Sequence, residues 1–123
     1  LRLKRLAFLS PYIESVSKNL RNVLARNGID SPKFGTFAEA EETKVVRISG
    51  QSVIEAAQDL CKSKDVDGIF LSCTNLRTLD LIKPLEASTS LPVISSNLAL
   101  AWHLGKLSGG SKAMLGPGRL FST

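Results

Sequence analysis

The chain has 123 residues, two cysteines, one histidine and a formal net charge of +5. That length fits one ordinary domain, and 43% hydrophobic with 22% charged residues argues against intrinsic disorder. Two cysteines are too few for a disulfide-stapled secreted fold or a cysteine-only zinc site, and no apolar run is long enough for a transmembrane helix.

Taken in chain order, residues 4–9 (Lys-Arg-Leu-Ala-Phe-Leu) predict a short buried strand. Ser10-Pro11 follows, with serine as a helix N-cap and proline in the first turn. Ile13, Val16, Leu20, Val23 and Leu24 recur at helical spacing, and Gly28 is placed to end that helix. Phe34 to Phe37 predict a second strand. Residues 38–47 are a polar connection with a short apolar element at Val45-Val46. Val53, Ile54, Ala57, Leu60 and Cys61 give an amphipathic helix over about 51–63.

Gly68-Ile69-Phe70-Leu71 is a continuous apolar run, the pattern of a strand buried on both faces. After Ser72-Cys73-Thr74-Asn75, a third helix carries Leu79, Ile82 and Leu85. Leu91 to Ile94 form a fourth strand, and Leu98, Ala101 and Trp102 share one face of a last helix over about 97–107. Residues 1–107 therefore predict one α/β domain, and the glycine-rich stretch 108–123 a loop or C-terminal tail. The order β-α-β-α-β-α-β-α predicts a parallel sheet of about four strands, with helices on both faces and right-handed crossovers. Ligands of such sheets bind beyond the carboxyl ends of the strands.

Cys73 stands at such an end. A helix start directly after it would aim backbone N–H groups and a positive dipole at the thiol, favouring thiolate. The same groups could hold a carboxylate or an enolate oxygen. Burial alone also suits a cysteine, which packs as a small hydrophobe. Cys61, on the apolar face of its helix, reads as core. His103 reads as a surface residue, Arg77 as a first-turn residue able to meet an anion, and Ser95-Ser96-Asn97 as a cap and strand-end turn placed to border a pocket. The basic residues are scattered and aromatics are sparse, so nucleic-acid binding is not expected. Neither a phosphate loop nor a dinucleotide fingerprint is present.

Ser72-Cys73-Thr74-Asn75-Leu76-Arg77-Thr78, with Pro92-Val93-Ile94-Ser95-Ser96-Asn97 and Ala99-Leu100-Ala101-Trp102-His103, resembles the aspartate/glutamate racemase superfamily. The branch it resembles holds maleate cis-trans isomerase, arylmalonate decarboxylase and the related ectoine-utilisation protein. Ser10-Pro11-Tyr12 is similar to the tyrosine-bearing turn that opens the second half of those enzymes. The resemblance implies half of a two-domain fold, an active site between the halves and no metal or organic cofactor. It implies a catalytic Cys73, with Tyr12, Thr74 and Asn75 binding a small carboxylate substrate. It ranks maleate isomerisation first, with racemisation, arylmalonate decarboxylation and a non-catalytic binding module as alternatives. It also implies an asparagine near residue 42, where this chain has Glu41-Glu42-Thr43, a poor match to a dicarboxylate. Lacking a first half, the chain is expected to pair with one or with a second copy. With no signal pattern at Leu1 and no membrane segment, a mature or truncated cytoplasmic piece is expected.

Overall fold

The computed structural model describes residues 1–109 and 114–123. Strand β1 spans Arg5–Tyr12 and helix α1 Glu14–Arg26, followed by strand β2 at Asp30–Glu39. The short helix α2 (Glu42–Val45) leads into α3 (Gly50–Leu60) and strand β3 (Gly68–Leu71). A 3₁₀ turn at Leu79–Leu81 runs into α4 (Ile82–Thr89), then come β4 (Val93–Ser95) and α5 (Ser96–Leu107). The strands form one sheet in the order β2-β1-β3-β4, and every neighbouring pair is parallel. The expected α/β architecture is present.

Alternation along β1 sorts its side chains between two faces. Ala7 and Leu9 join Val53, Ala57, Ile69, Leu71, Ile82, Leu85 and Val93 in the main core, beneath α3 and α4. Phe8 points the other way, in register with Phe34 and Phe70. Its ring lies 6.1 Å from Phe34 and 5.6 Å from Phe70. Helix α1 covers this row from its Arg21, whose guanidinium sits 4.5 Å above the Phe34 ring.

Two expectations are corrected. Ser10 and Pro11 do not start a helix: they continue β1, and α1 begins only at Glu14 with Ile13 as N-cap. The Ser10 hydroxyl instead accepts from the Tyr12 N–H at 3.1 Å and from the Ser17 hydroxyl at 3.1 Å, which bends the strand end towards the helix. Second, β2 is longer than Phe34–Phe37 and contains Pro32. An edge strand tolerates a proline because one side of its backbone needs no partner. The apolar stripe of α1 does not face the core. Ser17 is the buried residue of that helix, while Ile13, Val16, Leu20 and Val23 are exposed, Val23 by 54%.

Gly28, in the left-handed region at φ +79°, stands just beyond α1 as expected. Residues 114–118 lack helix and strand, and the chain then closes into a 3₁₀ turn at Arg119–Ser122. Leu120 enters the core, and the Arg119 N–H donates to both oxygens of Glu86 at 3.0 and 3.1 Å. Residues 110–113 of the glycine-rich stretch lie outside the described residues.

Candidate active site

Parallel register sets the geometry. Leu9 pairs with Leu71 where β1 and β3 run side by side. Tyr12 is the last residue of β1, and Cys73 follows β3 by two positions. The chain leaves β1 towards β2 on one side and later returns to β3 on the other, so the crevice between β1 and β3 is a topological switch point. Tyr12 and Cys73 flank it, and the Tyr12 hydroxyl lies 3.1 Å from the Cys73 Sγ.

The backbone of Tyr12 is fixed on three sides. Its N–H donates to the Ser10 hydroxyl, and its carbonyl accepts from the hydroxyls of Ser17 and Thr36. Ser17 and Thr36 went unnoticed in the sequence because no local motif marks either residue. The one available signal is a serine at the α1 position that meets the sheet.

Cys73 is 3% exposed. The helix expected directly behind it is absent, and the next helical residue is Leu79. Local bonds divert the chain. The Ser72 N–H donates to the Leu9 carbonyl at 2.8 Å, and the Cys73 N–H to the Leu71 carbonyl at 3.2 Å. The Asn75 N–H turns back to the Cys73 Sγ at 3.1 Å, and the Thr74 carbonyl accepts from the Asn97 side chain at 2.9 Å. Side chains that engage nearby backbone compete with helix formation. Buried Leu76 and Thr78 then anchor the loop. One backbone N–H and one tyrosine hydroxyl thus take the place of a helix dipole at the thiol.

Tyr12 is pushed up to about 12 from its ordinary 10.0. The hydrogen bond to Cys73 is the largest cause, followed by desolvation, the Cys73 charge and the Glu42 charge. The phenol therefore stays protonated at neutral pH, and it is the donor whenever Cys73 is a thiolate. Thr74 and Asn75 are exposed beside the thiol. The Asn75 side chain donates to Glu42 Oε2 at 2.8 Å, so α2 closes over the same loop.

Next to this pair opens a cleft of about 550 Å³, lined by Gly50, Thr74, Asn75, Arg77, Ser95 and Asn97 among others. Cys73 and Tyr12 do not line it, although Thr74 and Asn75, which follow Cys73 in the chain, do. Ser95 is the N-cap of α5, accepting from the Leu98 N–H at 3.2 Å, and Asn97 reaches across to the cysteine loop. The two expectations for that turn, a cap and a pocket border, both hold. His103 is exposed on α5, away from these contacts. Cys61 is half-buried at the end of α3 against the core, and burial pushes its thiol up. Among the described residues, no three His, Cys, Asp or Glu side chains converge as a metal site.

A four-stranded parallel sheet with a cysteine at its switch point defines a half of the racemase-like α/β class. The chain belongs to the arylmalonate decarboxylase family, whose model matches residues 1–121. It is 33% identical over 127 residues to an arylmalonate decarboxylase of Bordetella bronchiseptica, covering 98% of this chain and 51% of that protein. It is 28% identical over 118 residues to a maleate isomerase of Nocardia farcinica, covering 95% of this chain and 47% of that protein. A crystal structure of arylmalonate decarboxylase superposes with a TM-score of 0.86 at 31% identity, over 98% of this chain and 54% of the other. The chain spans about half the length of the curated relatives it matches.

Proposed function

We propose that this chain supplies the cysteine-bearing half of a cofactor-independent isomerase or decarboxylase, which moves a proton at the carbon next to a carboxylate. The observation that carries the reading is the convergence of two donors on one sulfur: the Tyr12 hydroxyl and the Asn75 N–H, each 3.1 Å from Cys73 Sγ.

Breaking a C–C bond with loss of CO2, or a C–H bond with loss of a proton, leaves its electron pair on the carbon beside the carboxylate, where it spreads into an enediolate. The Cys73 S–H gives its proton to that carbon, a C–H bond forms, and the electron pair of the S–H bond stays on sulfur. Tyr12 and Asn75 stabilise the thiolate left behind, and water returns the proton. Run in reverse, the thiolate removes the α-proton. Preorganised donors aimed at the atom where charge develops are a large source of rate enhancement. In this reading the exposed Thr74–Asn75 loop holds the substrate carboxylate, and the single Tyr12 O–H stays on the sulfur.

Maleate isomerisation is the second reading, favoured by the Nocardia relative. There the thiolate would add to the double bond, allow rotation and leave again. Glu42, which accepts from the Asn75 side chain, weighs against a substrate with two carboxylates. Both cysteines are free, which suits a reducing cytoplasm. No described helix is long and apolar enough to cross a membrane. The exposed stripe of α1 suits a chain that works packed against a second α/β half.

The test is solvent-deuterium incorporation at the α-carbon of small carboxylates by the full-length protein, followed by NMR. Wild type incorporates deuterium into its substrate, and Cys73→Ser does not. Incorporation by Cys73→Ser at the wild-type rate would remove the cysteine from the reaction.

A further inference from the structure

Glu42 is the feature of this site that the proton transfer leaves unused. It opens the short helix α2 and is exposed. Its Oε2 accepts from the Asn75 side chain at 2.8 Å, and the Asn75 N–H holds the Cys73 sulfur at 3.1 Å. One residue therefore links the glutamate to the thiol. Its acidic neighbours are engaged elsewhere. Glu41 pairs with Lys44 at 3.1 Å, and Glu39 accepts from the Glu41 N–H at 3.1 Å. Among the described residues, the ion pairs are Lys44–Glu41 and Lys62–Asp59, and Glu42 belongs to neither. Its charge also reaches the Tyr12 hydroxyl, as one of the causes that keep that group protonated.

We infer that Glu42 sets the charge selectivity of the Cys73 site, favouring a monocarboxylate that carries an ammonium group over a dicarboxylate. This rests on the reading of Cys73 as the reacting group. An amide donor satisfies one oxygen of Glu42 without neutralising it. A second substrate carboxylate approaching Asn75 meets that negative charge and loses the amide donor it would need. An ammonium group at the same place gains an acceptor and an opposite charge. A purely apolar substituent would have to desolvate the glutamate without compensation.

The test reads charge at the thiol without needing turnover. In a Cys61→Ser background, Cys73 is the single thiol of the chain. It is labelled with two methanethiosulfonates, one bearing an aminoethyl and one a sulfonatoethyl group, and each rate is divided by that of free cysteine. The aminoethyl reagent is expected to react faster. Glu42→Gln keeps an acceptor for Asn75 and removes the charge, and should lower the aminoethyl-to-sulfonatoethyl ratio by about 25-fold, one factor of about five from each reagent for a unit charge at contact distance in water. A ratio unchanged by Glu42→Gln overturns the inference. So does a Cys73 that reacts with neither reagent, because a substrate group that cannot reach the sulfur cannot be selected beside it. A ratio that falls, together with a Cys73→Ser enzyme that keeps its turnover, sinks the catalytic reading and leaves the charge selectivity standing. An unchanged ratio with an inactive Cys73→Ser enzyme does the reverse.

Discussion

Tyr12 offers the sharpest test of the site, because the chain contains one tyrosine. Tyrosinate absorbance therefore reports this residue alone. In the folded chain Tyr12 should reach half-ionisation at about 12 instead of 10.0. The leading cause is its hydrogen bond to Cys73: losing the phenolic proton deletes the O–H donor and sets two negative groups 3.1 Å apart. Cys73→Ala removes both the acceptor and the thiolate, so the midpoint should fall most of the way back towards 10.0. Cys73→Ser keeps an acceptor without a thiolate and should fall between. Glu42→Gln should give a smaller drop, because the glutamate is the last of the four causes.

The sign of the stability change follows from proton linkage. Between about pH 10 and pH 12 the unfolded chain has released the Tyr12 proton while the folded chain still holds it. Stability contributed by this group is complete below pH 10 and is lost as pH rises towards 12. The assay is a spectrophotometric titration, read over the range in which far-UV circular dichroism is constant. A folded wild type that titrates at 10, or a Cys73→Ala variant that titrates with wild type, would refute the Tyr12–Cys73 hydrogen bond as the cause.

Four further outcomes are expected. Tyr12→Phe removes one donor from the sulfur and should lower the deuterium-exchange rate of the full-length protein by about 10²-fold, the usual effect of deleting one preorganised donor. Leu120→Ala should destabilise the fold by roughly 2 kcal/mol, the lower end for a buried leucine, because its side chain is 8% exposed; urea unfolding measures it. Gly118→Ala should cost more than about 1 kcal/mol, since φ is +84° and a Cβ would meet Ile82 Cγ2 at 2.6 Å; equal denaturant midpoints would contradict the docking of the C-terminal turn. Burial pushes the Cys61 thiol above its ordinary 9.0, so in a Cys73→Ser background Cys61 should be alkylated by iodoacetamide at pH 8 more slowly than a free cysteine peptide.

Strands were legible because a parallel sheet buries both faces of its central strands. Gly68 to Leu71 needs no partner to be recognised, since continuous apolar sequence has few other uses at that length. Helix ends were less legible. Ser10-Pro11 has the composition of a helix start, but Ser10 spends its hydroxyl on Tyr12 and Ser17, and the strand runs on. Helical spacing in α1 gave the element correctly and left open what its apolar face meets. Periodicity reports that one face is apolar, and says nothing about what lies against it.

Residue types at the site were legible, and their connections were not. Cys73 could be found from its place after a buried strand, yet the expected helix dipole is absent and the sulfur is held by a hydroxyl 61 positions earlier in the chain. That contact depends on the β1–β3 register, which pairs residues that no local pattern relates. Glu42 shows the same limit. Its mismatch with a dicarboxylate site could be read from its charge alone, but its grip on Asn75 spans 33 positions and exists because α2 folds over the cysteine loop. On the proposed reading, the groups that react are marked by type and local setting. The groups that decide what reacts with them are marked by topology, so the specificity of this site stays hidden until the strands are paired.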